Sequence, residues 1–184
     1  LTDTVNHRQW AVTTPVRLVM RDGRQLDLRD LHAVSGPRVR PLPAQPEASR
    51  LAARGAGHAV TACFEDADGR FRVDWRLLQR DGSGYLREEV GITALKRTEP
   101  ISRVELLDTQ APGAEVVGSV AGSPVVAGRD WFGFEHPLSS SEVRGDKVRL
   151  WIDRELPLRK GRTVTYSAVF GISHPHWVEA VTAV

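Results

Sequence analysis

Apolar and polar residues alternate with period two in short runs along most of this chain, and turn residues separate the runs, as expected of half-buried antiparallel strands. The clearest run covers 70–77, where Phe71, Val73, Trp75 and Leu77 share one face and Arg70, Arg72, Asp74 and Arg76 the other. Val16, Leu18 and Met20 lead into Arg21-Asp22-Gly23-Arg24, after which Leu26 and Leu28 resume the alternation. An Asp-Gly step between alternating runs predicts a tight hairpin, because both residues tolerate positive φ. Glu65-Asp66-Ala67-Asp68-Gly69 joins a strand at 58–65 to one at 70–78 in the same way, and Asp81-Gly82-Ser83-Gly84 joins that strand to 85–94. These three strands should form a meander.

Further strands are predicted at 101–107, 115–120, 123–126, 131–135, 146–153 and 162–171, each bounded by Pro, Gly or Asp. Such spacing points to an all-β fold, an antiparallel β-sandwich of roughly ten or more strands with at most one short helix. The helical candidate is 47–54, closed by Gly55. Pro37, Pro41, Pro43 and Pro46 just before it each remove a ladder donor and so exclude a central strand. Residues 37–57 are read as a proline-rich surface crossover. With no fixed-period repeat and no sharp linker, residues 1–184 are read as a single domain.

Composition narrows the function classes. The chain is 41% apolar and 26% charged, as in ordinary globular proteins. Its 25 basic and 23 acidic residues nearly cancel and are interspersed, so no stripe for a phosphate backbone forms and nucleic acid is not expected as a partner. Arginine outnumbers lysine, which raises the pI to about 9.0 and reads as the bias of a GC-rich bacterial genome. Cys63 is the single cysteine, set in the apolar run His58-Ala-Val-Thr-Ala-Cys-Phe64, and is read as a passive strand residue. No apolar stretch approaches the ~18 residues that span a bilayer, and no basic region followed by an apolar signal core opens the chain. The sequence begins at Leu1, which is read as the result of processing or excision, with any export signal already removed.

The most distinctive segment runs from Gly122 to Ser139 and holds Trp131, Phe132, Glu135 and His136. Aromatic faces beside hydrogen-bonding groups suit a sugar ring, whose C–H faces are apolar and whose edges are hydroxyls. The same residues also fit a strand whose Trp131 and Phe134 belong to the core, with Glu135 and His136 in a local turn. Glu88 falls in phase with Leu86, Val90 and Ile92 on an apolar face, where a lone carboxylate is costly. An ion pair with one of the arginines is the expected remedy. His174-Pro175-His176 has a spacing that can chelate a metal from a strand, but a third ligand is missing nearby, and the segment is read as a terminal linker. No Gly-x-Ser-x-Gly elbow, phosphate-cradling glycine loop or cysteine-based zinc pattern occurs, so no catalytic site, metal or cofactor is expected within the chain.

Two stretches, Val73-Asp-Trp-Arg-Leu-Leu-Gln-Arg-Asp-Gly-Ser-Gly-Tyr-Leu-Arg-Glu-Glu-Val-Gly-Ile92 and Gly118 to Ser139, together resemble the N-terminal β-supersandwich of bacterial glycoside hydrolases of the α-galactosidase and α-N-acetylgalactosaminidase clan. The resemblance covers most of 58–174 and is strongest at Tyr85-Leu-Arg-Glu88 and from Trp131 to Pro137. It implies a galactose mutarotase-like fold, and a catalytic barrel of the same full-length chain as partner, with 172–184 as the linker toward it. It also implies a carbohydrate ligand, a galactoside or N-acetylgalactosaminide first, and a periplasmic or extracellular setting. A loop of such a domain walls the barrel's pocket, and here 128–137 is the segment for that role. On this reading Trp131 and Phe132 would stack on the sugar while Glu135 and His136 bind its hydroxyls. The paired histidines and glutamate of a true mutarotase have no match in the sequence. Two rivals stay open: a free-standing carbohydrate-binding module, and a purely structural sandwich in which Trp131 is buried core.

Overall fold

The structure is a computed structural model that describes residues 16–172, together with the backbone of a two-stranded pair, β1 (Thr2–Asp3) and β2 (Arg8–Gln9). His174, His176 and the expected linker beyond Ile172 lie outside the described residues. The described chain forms two antiparallel sheets packed face to face.

The first hairpin, β3 (Arg17–Met20) and β4 (Gln25–Asp27), turns at Gly23, whose φ of 84° is the left-handed conformation the Asp-Gly step predicts. A 3-10 turn at Leu28–Asp30 leads into β5 (His32–Leu42), and a second at Leu51–Arg54 precedes β6 (Gly57–Glu65). β7 (Phe71–Arg80) and β8 (Tyr85–Ala94) complete the predicted meander. β9 (Ile101–Gln110), β10 (Ala114–Val116), β11 (Val125–Ala127), β12 (Asp130–Phe134), β13 (Ser139–Arg144), β14 (Lys147–Asp153) and β15 (Thr163–Ile172) follow.

The larger sheet has the order β10-β11-β12-β15-β8-β7-β6-β5, and the smaller β13-β14-β9-β3-β4. Between them lies one apolar core. Phe71, Val73, Val90, Ile92, Phe132 and Phe170 reach in from the large sheet, and Leu18, Val104, Leu106, Val148 and Leu150 from the small one. Each set falls at alternate positions of its strand, so the period-two pattern read from the sequence is the core itself.

Two elements depart from expectation. The crossover expected over 37–57 is strand as far as Leu42, and Pro37 and Pro41 lie within β5. β5 is the outermost strand of the large sheet, bonded only to β6, and an edge strand can carry residues without an amide N–H on its open side. β13 was not anticipated, because Ser139-Ser-Ser-Glu-Val-Arg144 is polar at nearly every position. It too is an edge strand, aligned by β14.

Candidate functional site

The large sheet turns its second face outward, and the register sets three rows of side chains there. Tyr85, Gly171 and Trp131 are cross-strand neighbours on β8, β15 and β12. Leu78, Arg87, Val169 and Gly133 form the next row, and Arg76, Glu89 and Ser167 the third, with Glu135 N–H donating to the Ser167 carbonyl at 2.8 Å. Side chains of β7 and β8, together with Glu135, form the floor of a depression there. Residues 45–53 raise its far wall, giving a furrow of about 460 Å³, within the range of small-ligand sites.

The wall is tied down from the sheet. Arg80 Nη1 donates to the carbonyls of Pro43 (3.0 Å) and Gly55 (2.8 Å), while Asp81 N–H donates to Ala56 O at 2.9 Å. Within the wall Gln45 N–H donates to Ala53 O at 3.1 Å, and Arg54 Nε to Ala48 O at 3.0 Å.

Arg87 organises the floor. Its guanidinium donates to Glu135, to Glu89 Oε1 at 2.7 Å and to Ser167 Oγ at 3.0 Å. Glu89 also accepts from Arg76 at 3.1 Å, so positive and negative groups alternate across the furrow. Tyr85 closes its end, and the Trp131 ring lies next to it outside the lining, 5.7 Å from the Tyr85 ring and tilted by 56°. Gly171 lies under both rings: a Cβ there would stand 2.6 Å from Tyr85 Cβ and 2.9 Å from Trp131 Cε2. Burial, and then the Glu135 carboxylate, push the Tyr85 phenol above its ordinary pKa, so it stays a neutral donor.

The four residues singled out from the sequence do not form one cluster. Strand alternation sends Trp131 and Glu135 to the outer face, beside Tyr85 and Arg87. Phe132 goes inward and is core, 6% exposed, which removes it as a stacking surface. His136 sits on the inner side, edge-on to Tyr166 with ring centres 6.1 Å apart, and its Nδ1 accepts from Leu138 N–H at 3.1 Å. The half-buried Trp131 is not core either, contrary to the purely structural reading of this segment. Arg87 and Tyr85 were missed, although period two already placed both opposite to Leu86 and Glu88.

Glu88 corrects another expectation. It is 2% exposed and meets no arginine: Oε1 accepts from Trp75 Nε1 at 2.5 Å, and Oε2 has no partner among the described residues. Burial pushes its carboxyl up to about 7 against the opposing pull of the indole. Cys63 lies on β6 as a free thiol, and burial followed by Asp74 raises its pKa, the opposite of an activated nucleophile. Among the described residues no three His, Cys, Asp or Glu side chains gather as a metal site, and no helix is long and apolar enough to cross a membrane.

No protein-family model matches the sequence, and no curated protein matches it either. Solved structures do. The galactosidase domain of an α-galactosidase–sucrose kinase superposes with a TM-score of 0.50 at 13% identity, over 94% of this chain and 31% of that one. The fold is the one that this galactosidase carries. The GH36 α-galactosidase AgaB from Geobacillus stearothermophilus aligns over the same shares at 12% identity and a TM-score of 0.49. The α-galactosidase from Lactobacillus brevis aligns at 13% and 0.46, over 90% of this chain and 29% of that one. The resemblance read from Tyr85–Glu88 and from Trp131–Pro137 therefore holds at the level of fold, and the chain spans about a third of the galactosidase chains it matches.

Proposed function

We propose that this chain is a non-catalytic accessory domain of a larger glycoside hydrolase, packing on a catalytic barrel and offering its outer furrow to carbohydrate. The observation that carries this reading is the furrow's composition. Tyr85 at one end, with the Trp131 ring next to it, and a row of paired charges along the floor supply both surfaces a sugar ring requires. The sandwich it shares with the galactosidase domain supports the hydrolase context. An apolar corner supports the packing: Val120 (71% exposed) and Leu138 (76%) sit on neighbouring loops, joined where Ser141 N–H donates to Ala121 O. Galactosides and N-acetylgalactosaminides are the first substrates to try, and on this reading the parent enzyme acts outside the cytoplasm.

Catalysis would belong to the barrel, and the domain's part would be binding energy. Trp131 would cover an apolar sugar face while Glu135, steered by Arg87, accepts from a hydroxyl. Trp131→Ala in the full-length enzyme should lower kcat/KM by roughly tenfold, the loss of about 1–2 kcal/mol of stacking. Unchanged kinetics together with unchanged sugar affinity would remove the furrow from substrate recognition.

A further inference from the structure

The furrow's charges do not balance. Arg50, Arg76, Arg80 and Arg87 line it against only two carboxylates, Glu89 and Glu135. Each of the three Arg87 nitrogens donates to a partner, Glu135, Glu89 or Ser167, and Arg80 gives its Nη1 to two carbonyls of the wall. Arg76 uses one nitrogen, on Glu89, and leaves the rest of its guanidinium free. The Arg50 carbonyl accepts from Ala53 N–H at 3.0 Å, and its side chain makes no hydrogen bond or ion pair among the described residues. Both Glu89 oxygens are occupied by guanidiniums and one Glu135 oxygen is bound to Arg87, so the acidic groups are largely neutralised. What remains is an excess of two positive charges, since Arg50 and Arg80 have no carboxylate partner among the described residues, with donors to spare on Arg50 and Arg76, in a furrow that has Tyr85 at one end. A neutral sugar offers those donors only hydroxyl oxygens. An anion offers charged oxygens, which a planar guanidinium can bind in bidentate fashion and which offset its charge.

We propose that the furrow selects an acidic saccharide, one whose ring bears a carboxylate or sulfate group, with the ring against Trp131 and Tyr85 and the anion between Arg50 and Arg76. This rests on the reading of the furrow as a carbohydrate site and adds the charge class of its ligand. Both arginines are contributed by this chain, so the domain needs no partner to show the preference. The attraction is electrostatic and weakens with salt, since the screening length is about 8 Å at 0.15 M.

Calorimetric titration of the chain tests this, with a galacturonic acid disaccharide, a sulfated galactose disaccharide, the neutral galactose disaccharide and inorganic sulfate. At least one acidic disaccharide should bind roughly tenfold or more tightly than the neutral one, with the carboxylate and sulfate arms showing which anion is preferred. Arg50→Gln and Arg76→Gln should each cost that ligand roughly tenfold in Kd. Arg50 is exposed and its side chain makes no hydrogen bond or ion pair among the described residues, so the effect of Arg50→Gln is read on a folded protein. Equal or tighter binding of the neutral disaccharide would overturn the charge preference while leaving the carbohydrate reading intact. Binding of none of the four, or of inorganic sulfate as tightly as the sulfated sugar, would overturn the proposal outright. Trp131→Ala kinetics in the full-length enzyme would still decide the accessory role separately.

Discussion

Glu88 and Glu99 are both buried carboxyls of this sandwich, and their partners give them opposite chemistry. Burial alone would raise both. At Glu99 the guanidiniums of Arg70 and Arg97, each with an Nε 3.0 Å from Oε1, outweigh burial and hold the carboxyl below its ordinary value. Glu88 has one indole donor and an empty second oxygen, so burial wins and its pKa rises to about 7. The sign follows from linkage. A carboxyl near 4.5 when unfolded and near 7 when folded binds its proton more tightly in the folded state. Its contribution is fully present below about pH 4.5 and is lost as pH rises to about 7, by up to about 3 kcal/mol at about 1.4 kcal/mol per unit. Urea midpoints at pH 5 and pH 8 should therefore fall more for the native chain than for Glu88→Gln, which keeps an oxygen for Trp75. Parallel shifts in the two proteins would show that Glu88 does not titrate in this range. The sequence made Glu88 legible as a carboxyl on an apolar face, but not its partner. Trp75 lies on β7 opposite Val90, so the bond runs diagonally across a strand pair whose register no local pattern reports.

At the scale of elements, strands with one buried face were legible and edge strands were not. β8 alternates strictly because one face meets the core and the other meets the furrow. β13 and β5 have no such contrast, and Pro37 and Pro41 read locally as breakers because their tolerance depends on the absence of a neighbour strand beyond β5. The site was half legible for the same reason. Trp131 and Glu135 sit two pairs apart on β12 and its continuation, the spacing that shares a face, whereas Phe132 and His136 have the other parity. The seating of Trp131 against Tyr85 also needs Gly171, supplied by a strand 40 residues downstream of Trp131. Gly171→Ala places a methyl within 2.8 Å of Gly84 O and against both rings. Overpacking of this kind costs about 1–3 kcal/mol. A lowered melting temperature together with displaced Trp131 ring resonances is the expected result, and a spectrum superposable on the native one would contradict the placement of Trp131.

At the scale of the whole molecule, the two faces of the large sheet divide the work. The inner face closes the core against the smaller sheet, so the sandwich is held without help from the furrow, and the outer face is free to carry paired charge and aromatic rings. The furrow's two carboxylates, Glu89 and Glu135, are paired with arginines, Cys63 is held as a thiol, and Glu88 is sealed inside. An accessory role beside a catalytic barrel accounts for such a surface, and its most direct test is the intact mass of the natural polypeptide isolated from its source. A chain about three times the 20.3 kDa of this one, hydrolysing glycosides, is the predicted result. A natural polypeptide of 20.3 kDa would contradict it.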